Sequence, residues 1–149
     1  MSDDLTELYQ ELILDHSRSP RNFRILPNCE HVAQGNNPIC GDNYTIYADL
    51  DGDVVRDISF QGSGCAISKA SASILTESLK GKTVAEVRAM FDKVRDMVTT
   101  GNIDGDLGKT AALAGVHKFP ARVKCAILPW YAIVAAIEGQ RSISTEKED

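Results

Sequence analysis

The sequence lacks features that several large classes of protein require. Its 149 residues carry 16 basic and 21 acidic side chains, so there is no excess of positive charge, and we expect neither a nucleic acid nor a membrane as a partner. We find no run of about 18 apolar residues and therefore expect no transmembrane helix. The stretch MSDDLTELYQ is acidic and has no basic region followed by an apolar one, so we expect no signal peptide and a cytoplasmic location.

Features that would divide the chain are also missing. We find no internal repeat and no linker rich in proline, glycine or serine. The length is sufficient for one domain with a hydrophobic core, and the hydrophobic fraction of 43% is typical of a globular protein. We therefore expect a single domain over residues 1–149.

Cysteine is scarce, and the cysteines lie far apart. The sequence contains four: Cys29, Cys40, Cys65 and Cys125. No two of them form a C-x-x-C pair, which excludes the usual zinc-finger and thioredoxin patterns. Structural disulfides are not expected in a reducing compartment, so metal ligands, reactive thiols or small buried side chains remain. Nothing around Cys29 suggests chemistry, and we interpret it as a small buried side chain.

The order of the predicted elements indicates an α+β fold. An amphipathic helix over residues 3–16 comes first, and a short strand lies near residues 31–34. Two alternating segments, residues 43–50 and 54–61, predict strands joined by an Asp-Gly hairpin turn. Only helices follow. This order predicts a small antiparallel sheet of about three strands packed on helices, not a doubly wound parallel sheet.

The second half of the sequence predicts helices. They cover approximately residues 65–80, 83–98, 109–116 and 123–138. Proline is tolerated only in the first turn of a helix, so Pro129 should lie near the start of the last one. The final residues, SISTEKED, are expected to form a frayed polar tail.

Three of the cysteines lie at the ends of predicted elements. Cys40 precedes the first strand of the Asp-Gly hairpin and Cys65 follows the second, so the two should be neighbours, because antiparallel strands return the chain to the same end of the sheet. Cys65 and Cys125 are each expected at a helix N-terminus. Unpaired N–H groups and the helix dipole should lower the pKa of a thiol there, and Lys124 beside Cys125 should act in the same direction.

Zinc or iron could be held by these thiols together with a nearby carboxylate. Such ions take about four ligands, with sulfur preferred and oxygen acceptable, and Asp42 in ICGDNY could be the fourth. The alternative is that Asp42 is an ordinary turn former. The pattern alone leaves both interpretations open. His16, His31 and His117 have no partner at ligand spacing, so we expect core or surface roles for them.

Three stretches resemble the U-type iron–sulfur cluster assembly proteins, which comprise IscU, SufU and the N-terminal part of NifU. They are NPICGDNYTIYADLDGD, ISFQGSGCAISKASASILTE and FPARVKCAILPWYAI, and the resemblance covers nearly the whole chain. It implies the α+β fold that is called IscU/SufE-like. It also implies that the site consists of Cys40, Asp42, Cys65 and Cys125.

Within this family the sequence is more similar to the SufU subtype. Lys124 stands where IscU has a histidine, and KFPARVKC replaces the L-P-P-V-K segment at which IscU binds its chaperone. The segment between Cys65 and Cys125 is also longer than in IscU and contains TTGNIDGDLG. SufU-like proteins bind zinc, accept persulfide sulfur from the cysteine desulfurase SufS and pass it to the SufBCD assembly complex. IscU-like proteins are scaffolds on which a [2Fe–2S] cluster is built for transfer to apo iron–sulfur proteins.

The resemblance implies a sulfur carrier rather than an enzyme, although zinc-dependent sulfurtransferase would describe the same role. In this hypothesis the four site residues hold Zn²⁺, and Cys40 is the ligand that leaves and accepts sulfur. It is expected on a loop with Asn36, Asn37, Pro38 and Gly41, whereas Cys65 and Cys125 are expected to be held at helix ends. The alternatives are a scaffold that carries iron or a [2Fe–2S] cluster and a purely structural zinc domain. A cysteine-nucleophile enzyme is disfavoured because no histidine is placed near a cysteine by the sequence.

Overall fold

The computed structural model describes residues 2–145, with side chains described from residue 7 onward. Leu5 of the predicted first helix therefore has no described side chain, and residues 146–149 of the predicted tail lie outside the described residues. The elements, in chain order, are helix α1 (Ser2–Arg18), strands β1 (His31–Asn37), β2 (Asp42–Asp51) and β3 (Val54–Ser63), helices α2 (Ala66–Leu79) and α3 (Val84–Thr100), a 3₁₀ segment (Gly108–Lys118), helix α4 (Pro120–Ile137) and strand β4 (Ser142–Ser144).

The sheet has the order β3-β2-β1-β4, and its first three strands are antiparallel. The Asp-Gly hairpin is confirmed, with Gly52 in the left-handed region at a φ of 64°. The α+β prediction is confirmed too, but the strand count was too low. Ser142–Ser144 pairs in parallel with β1, where a frayed tail was predicted. The prediction failed because the segment is mostly polar, and its apolar residue, Ile143, packs against Ala33 and the end of α4.

Helices cover one face of this sheet. Along β2, Asp42, Tyr44, Ile46 and Ala48 are buried and alternate with more exposed residues, as expected for a strand with one covered face. Helix α4 lies across β1 and β2, and α2 packs between α4 and α1. The approach of α4 is close at Gly35, where an added Cβ would lie only 3.2 Å from Leu128.

Helix α4 begins earlier than predicted. Its first residue is Pro120 and not Val123, because the fixed φ of proline suits the first helical position. The expectation that Pro129 lies near the helix start is therefore wrong, since it is the tenth residue of α4. Burial of ten α4 residues against the sheet and the other helices offsets the cost of an interior proline.

By length and composition α4 is also apolar enough to cross a membrane, although no transmembrane helix was expected. Its buried residues contact β1, β2, α2 and α3, and this is the environment of a core helix.

The remaining helix predictions need smaller changes. The capping box is confirmed, with the Thr83 hydroxyl accepting from the N–H of Glu86 and the Glu86 carboxylate accepting from the N–H of Thr83. The helix predicted at residues 109–116 is a 3₁₀ segment over Gly108–Lys118.

His16 is fully buried between α1 and α2. Its Nδ1 lies 2.7 Å from the Ser73 hydroxyl, and its Nε2 lies 3.7 Å from a carboxylate oxygen of Glu77. Burial lowers the pKa of His16 below its usual 6.5. The positive charges of Arg21 and Lys109 act in the same direction, and Glu77 opposes them.

We expect His16 to make the protein less stable in mild acid. In the unfolded chain His16 takes up a proton near pH 6.5, whereas the folded protein resists this, so the stabilising contribution is lost as the pH falls below 6.5. Between about pH 7 and about pH 5 the urea midpoint of the wild type should fall further than that of His16→Gln. Parallel pH dependences of the two proteins would contradict this account.

Candidate metal centre

Cys40 lies at the tip of the β1–β2 hairpin and is exposed. The connecting turn consists only of residues 38–41, with Gly41 at a φ of 73°. The predicted loop was longer, but Asn36 and Asn37 belong to β1, where they pair with Asn43 and Asp42 of β2. Cys40 is therefore held on a short, accessible turn between two paired strands.

Asp42 is fully buried and connects three elements. Its Oδ1 accepts hydrogen bonds from the backbone N–H of Cys65 at 2.9 Å and from the Ser68 hydroxyl at 3.1 Å. Its Oδ2 accepts one from the side-chain amide of Asn37 at 3.2 Å. The Cys125 thiol also interacts with the Asp42 carboxylate, which therefore has partners on both of its sides.

Cys65 lies where the sequence predicted it, at the N-terminus of α2. It is the N-cap residue, and its Sγ accepts from the N–H of Ser68 at 3.4 Å. The hairpin brings the end of β3 to the start of β2, and the bond from the Cys65 N–H to Asp42 joins the two ends. Cys40 and Cys65, which were predicted to be neighbours, line the same cleft.

Cys125 does not lie at a helix N-terminus as predicted. Because α4 begins at Pro120, Cys125 is its sixth residue and is only 2% exposed. Burial raises the pKa of the Cys125 thiol, and the side chains of Asp42, Cys65 and Cys40 raise it further. The expected lowering of this pKa is therefore wrong for the metal-free protein. A bound cation would offset the burial cost of the thiolate.

Three of the four predicted ligands form a compact group. Cys40 Sγ, one Asp42 oxygen and Cys125 Sγ all lie within 4.8 Å of one another, and no second such group occurs among residues 7–145, whose side chains the structure describes. Sulfur and carboxylate oxygen are normal zinc ligands with bonds of about 2.3 and about 2.1 Å, so the donor set fits zinc. Cys65 is outside this compact group, although its side chain affects the pKa of Cys125. Its role as the fourth ligand stays a prediction.

The thiols open into a cleft of about 530 Å³. The second half of α1 lines one side with Ile13 and Leu14, and the start of α4 contributes Arg122. The hairpin tip beside the cleft carries Ile39, which is 67% exposed. Cys40 is therefore reached between apolar walls, next to one cationic side chain.

Sequence reasoning missed Asn37, Ser68 and Arg122. Asn37 could have been found only from the β1–β2 register, because its importance comes from pairing with Asp42. Ser68 is the N3 residue of α2, a position that commonly bonds to the cap. No pattern in the sequence marks Arg122.

The other cysteine and the histidines lie outside this compact group. Cys29 is half-buried, and its thiol donates to the carbonyl of Ala48 at 2.9 Å. His31 and His117 contact backbone carbonyls through Nδ1. These positions agree with the structural roles predicted for them.

Gly64 makes the packing around Asp42 possible. A Cβ at this position would collide with the Asp42 carboxylate and would lie 2.7 Å from the Ser68 hydroxyl. We therefore expect Gly64→Ala to displace Asp42 and to lower the free energy of unfolding by about 2 kcal/mol. Gly115→Ala is the control, because a Cβ there meets no atom within 4 Å. Equal urea midpoints for the two variants would refute this prediction.

Two features define the class of protein. They are the mixed sheet with its covering helices and the site formed by a hairpin tip, a helix cap and α4. Residues 8–126 match the NifU-like N terminal domain, and the chain belongs to this family.

Named relatives fall in two groups. The chain is 45% identical to the zinc-dependent sulfurtransferase SufU of Bacillus subtilis, over 91% of this chain and 95% of the relative. It is 40% identical to the iron-sulfur cluster assembly scaffold protein IscU of Streptococcus pyogenes, over 90% of this chain and 85% of the relative. The crystal structure of FiSufU from Fervidobacterium islandicum superposes with a TM-score of 0.80 at 36% identity, covering 85% of this chain and 94% of that one.

Proposed function

We propose that this protein is a zinc-bound sulfur acceptor in iron–sulfur cluster assembly. The observation that carries the proposal is the compact group of Cys40, Asp42 and Cys125, in which one thiol is exposed and the other two groups are buried. This arrangement combines ligands that are fixed in the core with a thiol that a partner can reach. The similarity to a zinc-dependent sulfurtransferase supports the same role.

In this proposal Cys40, Asp42, Cys65 and Cys125 hold Zn²⁺. The ion would supply positive charge that keeps the bound thiols ionised and apart. Asp42 is held in place by its hydrogen bonds to Cys65, Ser68 and Asn37, and burial fixes Cys125.

Cys40 then performs the sulfur transfer. Its thiolate attacks the outer sulfur of a persulfide on the partner, forming a new S–S bond as the old one breaks. The partner's cysteine leaves as a thiolate, and Cys40 now carries the persulfide. The sulfur only changes carrier, so no external oxidant or reductant is needed.

The donor in this proposal is a cysteine desulfurase of the SufS type, and the receiver is a SufBCD-type complex or an apo iron–sulfur protein. The protein acts as a carrier in this sequence and does not turn over a substrate of its own. All four cysteines are free thiols, which suits a reducing compartment, so we place the activity in the cytoplasm.

The second candidate function is a [2Fe–2S] scaffold, and the similarity to IscU scaffold proteins favours it. A single experiment separates the two. The protein is incubated with a cysteine desulfurase and cysteine, and the intact chain is then analysed by mass spectrometry after trapping of persulfides. The proposal expects the mass increase of one sulfur atom, located on Cys40. A chain that gains no sulfur here, but takes up iron and sulfide anaerobically with cluster absorbance, would be a scaffold.

A further inference from the structure

Asn37 is a fully buried amide in contact with two of the proposed ligands. Its Nδ2 lies 3.2 Å from Asp42 Oδ2 and 3.7 Å from Cys125 Sγ. An amide nitrogen carries two protons, so it can donate to the carboxylate and to the sulfur at the same time. Both acceptors are anionic when a metal is bound, and hydrogen bonds to charged groups are stronger than those between neutral ones.

The orientation of this amide is fixed from the far side. Asn37 Oδ1 accepts a hydrogen bond from the Thr145 hydroxyl at 3.0 Å. A hydroxyl can also accept, but the Asp42 carboxylate on the opposite side of the amide only accepts, so the oxygen must point to Thr145 and the nitrogen to the ligands.

Thr145 is itself held by the edge of the sheet. Its backbone N–H donates to the carbonyl of Asn36 at 3.0 Å, directly after the parallel pairing of β4 with β1. Ile143 anchors β4 against Ala33 and α4. A contiguous series of contacts therefore runs from β4 through Thr145 and Asn37 to Asp42 and Cys125.

We infer that Asn37 is a positioning residue of the metal centre and that Thr145 fixes its amide, so that strand β4 contributes to metal affinity. This inference rests on the proposed function, because it takes Asp42 and Cys125 as ligands. Partners of metal ligands typically change metal affinity by about 10- to 100-fold when they are removed. Asn37 acts on two ligands, and Thr145 acts only through Asn37.

The test is a double-mutant cycle on zinc affinity. Asn37→Leu keeps most of the side-chain volume and removes the amide, and Thr145→Val removes only the hydroxyl. Zinc dissociation constants are measured by competition with a fluorescent chelator, and Co²⁺ absorption spectra report the ligand field. Asn36→Leu and Thr45→Val are the matched controls, because Asn36 is exposed on β1 and Thr45 lies on the outer face of β2.

We expect Asn37→Leu to weaken zinc binding at least about tenfold and to shift the Co²⁺ bands, with a smaller loss of about fivefold for Thr145→Val. Thr145→Val should add nothing in the Asn37→Leu background, because the two residues act as one unit. A purely structural role would change the unfolding midpoint without this non-additivity.

Three results would overturn the inference. The first is wild-type zinc affinity in both single variants. The second is a loss of zinc affinity in the double variant that equals the product of the two single losses. The third is an equal loss of zinc affinity in the control variants. If Asn37→Leu does not fold, the zinc affinity of Thr145→Val decides. Wild-type affinity in that variant would overturn the inference, and a loss of about fivefold would support it. Zinc binding by the wild type that is lost in Asp42→Asn but unchanged in Asn37→Leu would refute only this inference. Absence of zinc binding by the wild type would refute the proposed function as well.

Discussion

Replacing Cys40 by serine should abolish sulfur acceptance and any stimulation of a cysteine desulfurase. The oxygen of serine does not form a persulfide, and Cys40 is the exposed thiol of the compact group. Because the side chain lies on a turn at the surface, the free energy of unfolding of the metal-free protein should change by no more than about 0.5 kcal/mol. The measurement is sulfide or alanine release by the desulfurase at increasing concentrations of wild type or variant.

Cys29→Ser is the matched control for this experiment. It makes the same substitution in the same strand-rich half of the chain, but Cys29 bonds to the Ala48 carbonyl and lies outside the compact group. It should stimulate the desulfurase like the wild type. Normal stimulation by Cys40→Ser would exclude Cys40 as the acceptor.

Replacing Asp42 by asparagine should damage the site and the fold together. The carboxylate accepts from donors on both sides, with the Cys65 N–H on one oxygen and the Asn37 amide on the other. An asparagine has one accepting oxygen, so its own NH₂ group must face either the Cys65 N–H or the Asn37 amide, and both of these are donors. A buried donor without an acceptor costs on the order of 1–3 kcal/mol, and we expect a loss of about 3 kcal/mol in unfolding free energy together with much weaker zinc binding.

Asp49→Asn is the control for charge removal in the same strand. Asp49 pairs with Arg56 near the surface, where an ion pair contributes at most about 1 kcal/mol. Urea unfolding of the two metal-free variants separates a local effect of the buried carboxylate from a general loss of negative charge. If Asp42→Asn unfolds at the same urea concentration as Asp49→Asn, the hydrogen-bond arrangement described for Asp42 is wrong.

Local patterns in the sequence were sufficient for much of this fold. The Asp-Gly hairpin and the Thr83 capping box were predictable because each depends on residues only a few positions apart. The hairpin also brought Cys65 to the start of β2. Where strand pairing is dictated by a short turn, proximity across the sheet follows from the sequence.

Other features depend on distant packing and could not be predicted in this way. Strand β4 is formed by three residues, and only Ile143 among them is apolar, so its pairing with β1 depends on a hydrophobic contact that lies far away in the sequence. The buried position of Cys125 follows from the start of α4 at Pro120, which also reversed the expected direction of its pKa. The role of Asn37 needed the register of β1, for which the sequence signal was weak.

The most direct test of the central claim is the metal content of the aerobically purified protein. Elemental analysis would compare the wild type with Cys40→Ser and with the control Cys29→Ser. A site built from Cys40, Asp42, Cys65 and Cys125 predicts about one zinc ion per chain in the wild type and in the control, and a clear reduction in Cys40→Ser. Equal zinc in all three proteins, or iron with acid-labile sulfide in place of zinc, would contradict the proposed zinc-bound sulfur acceptor.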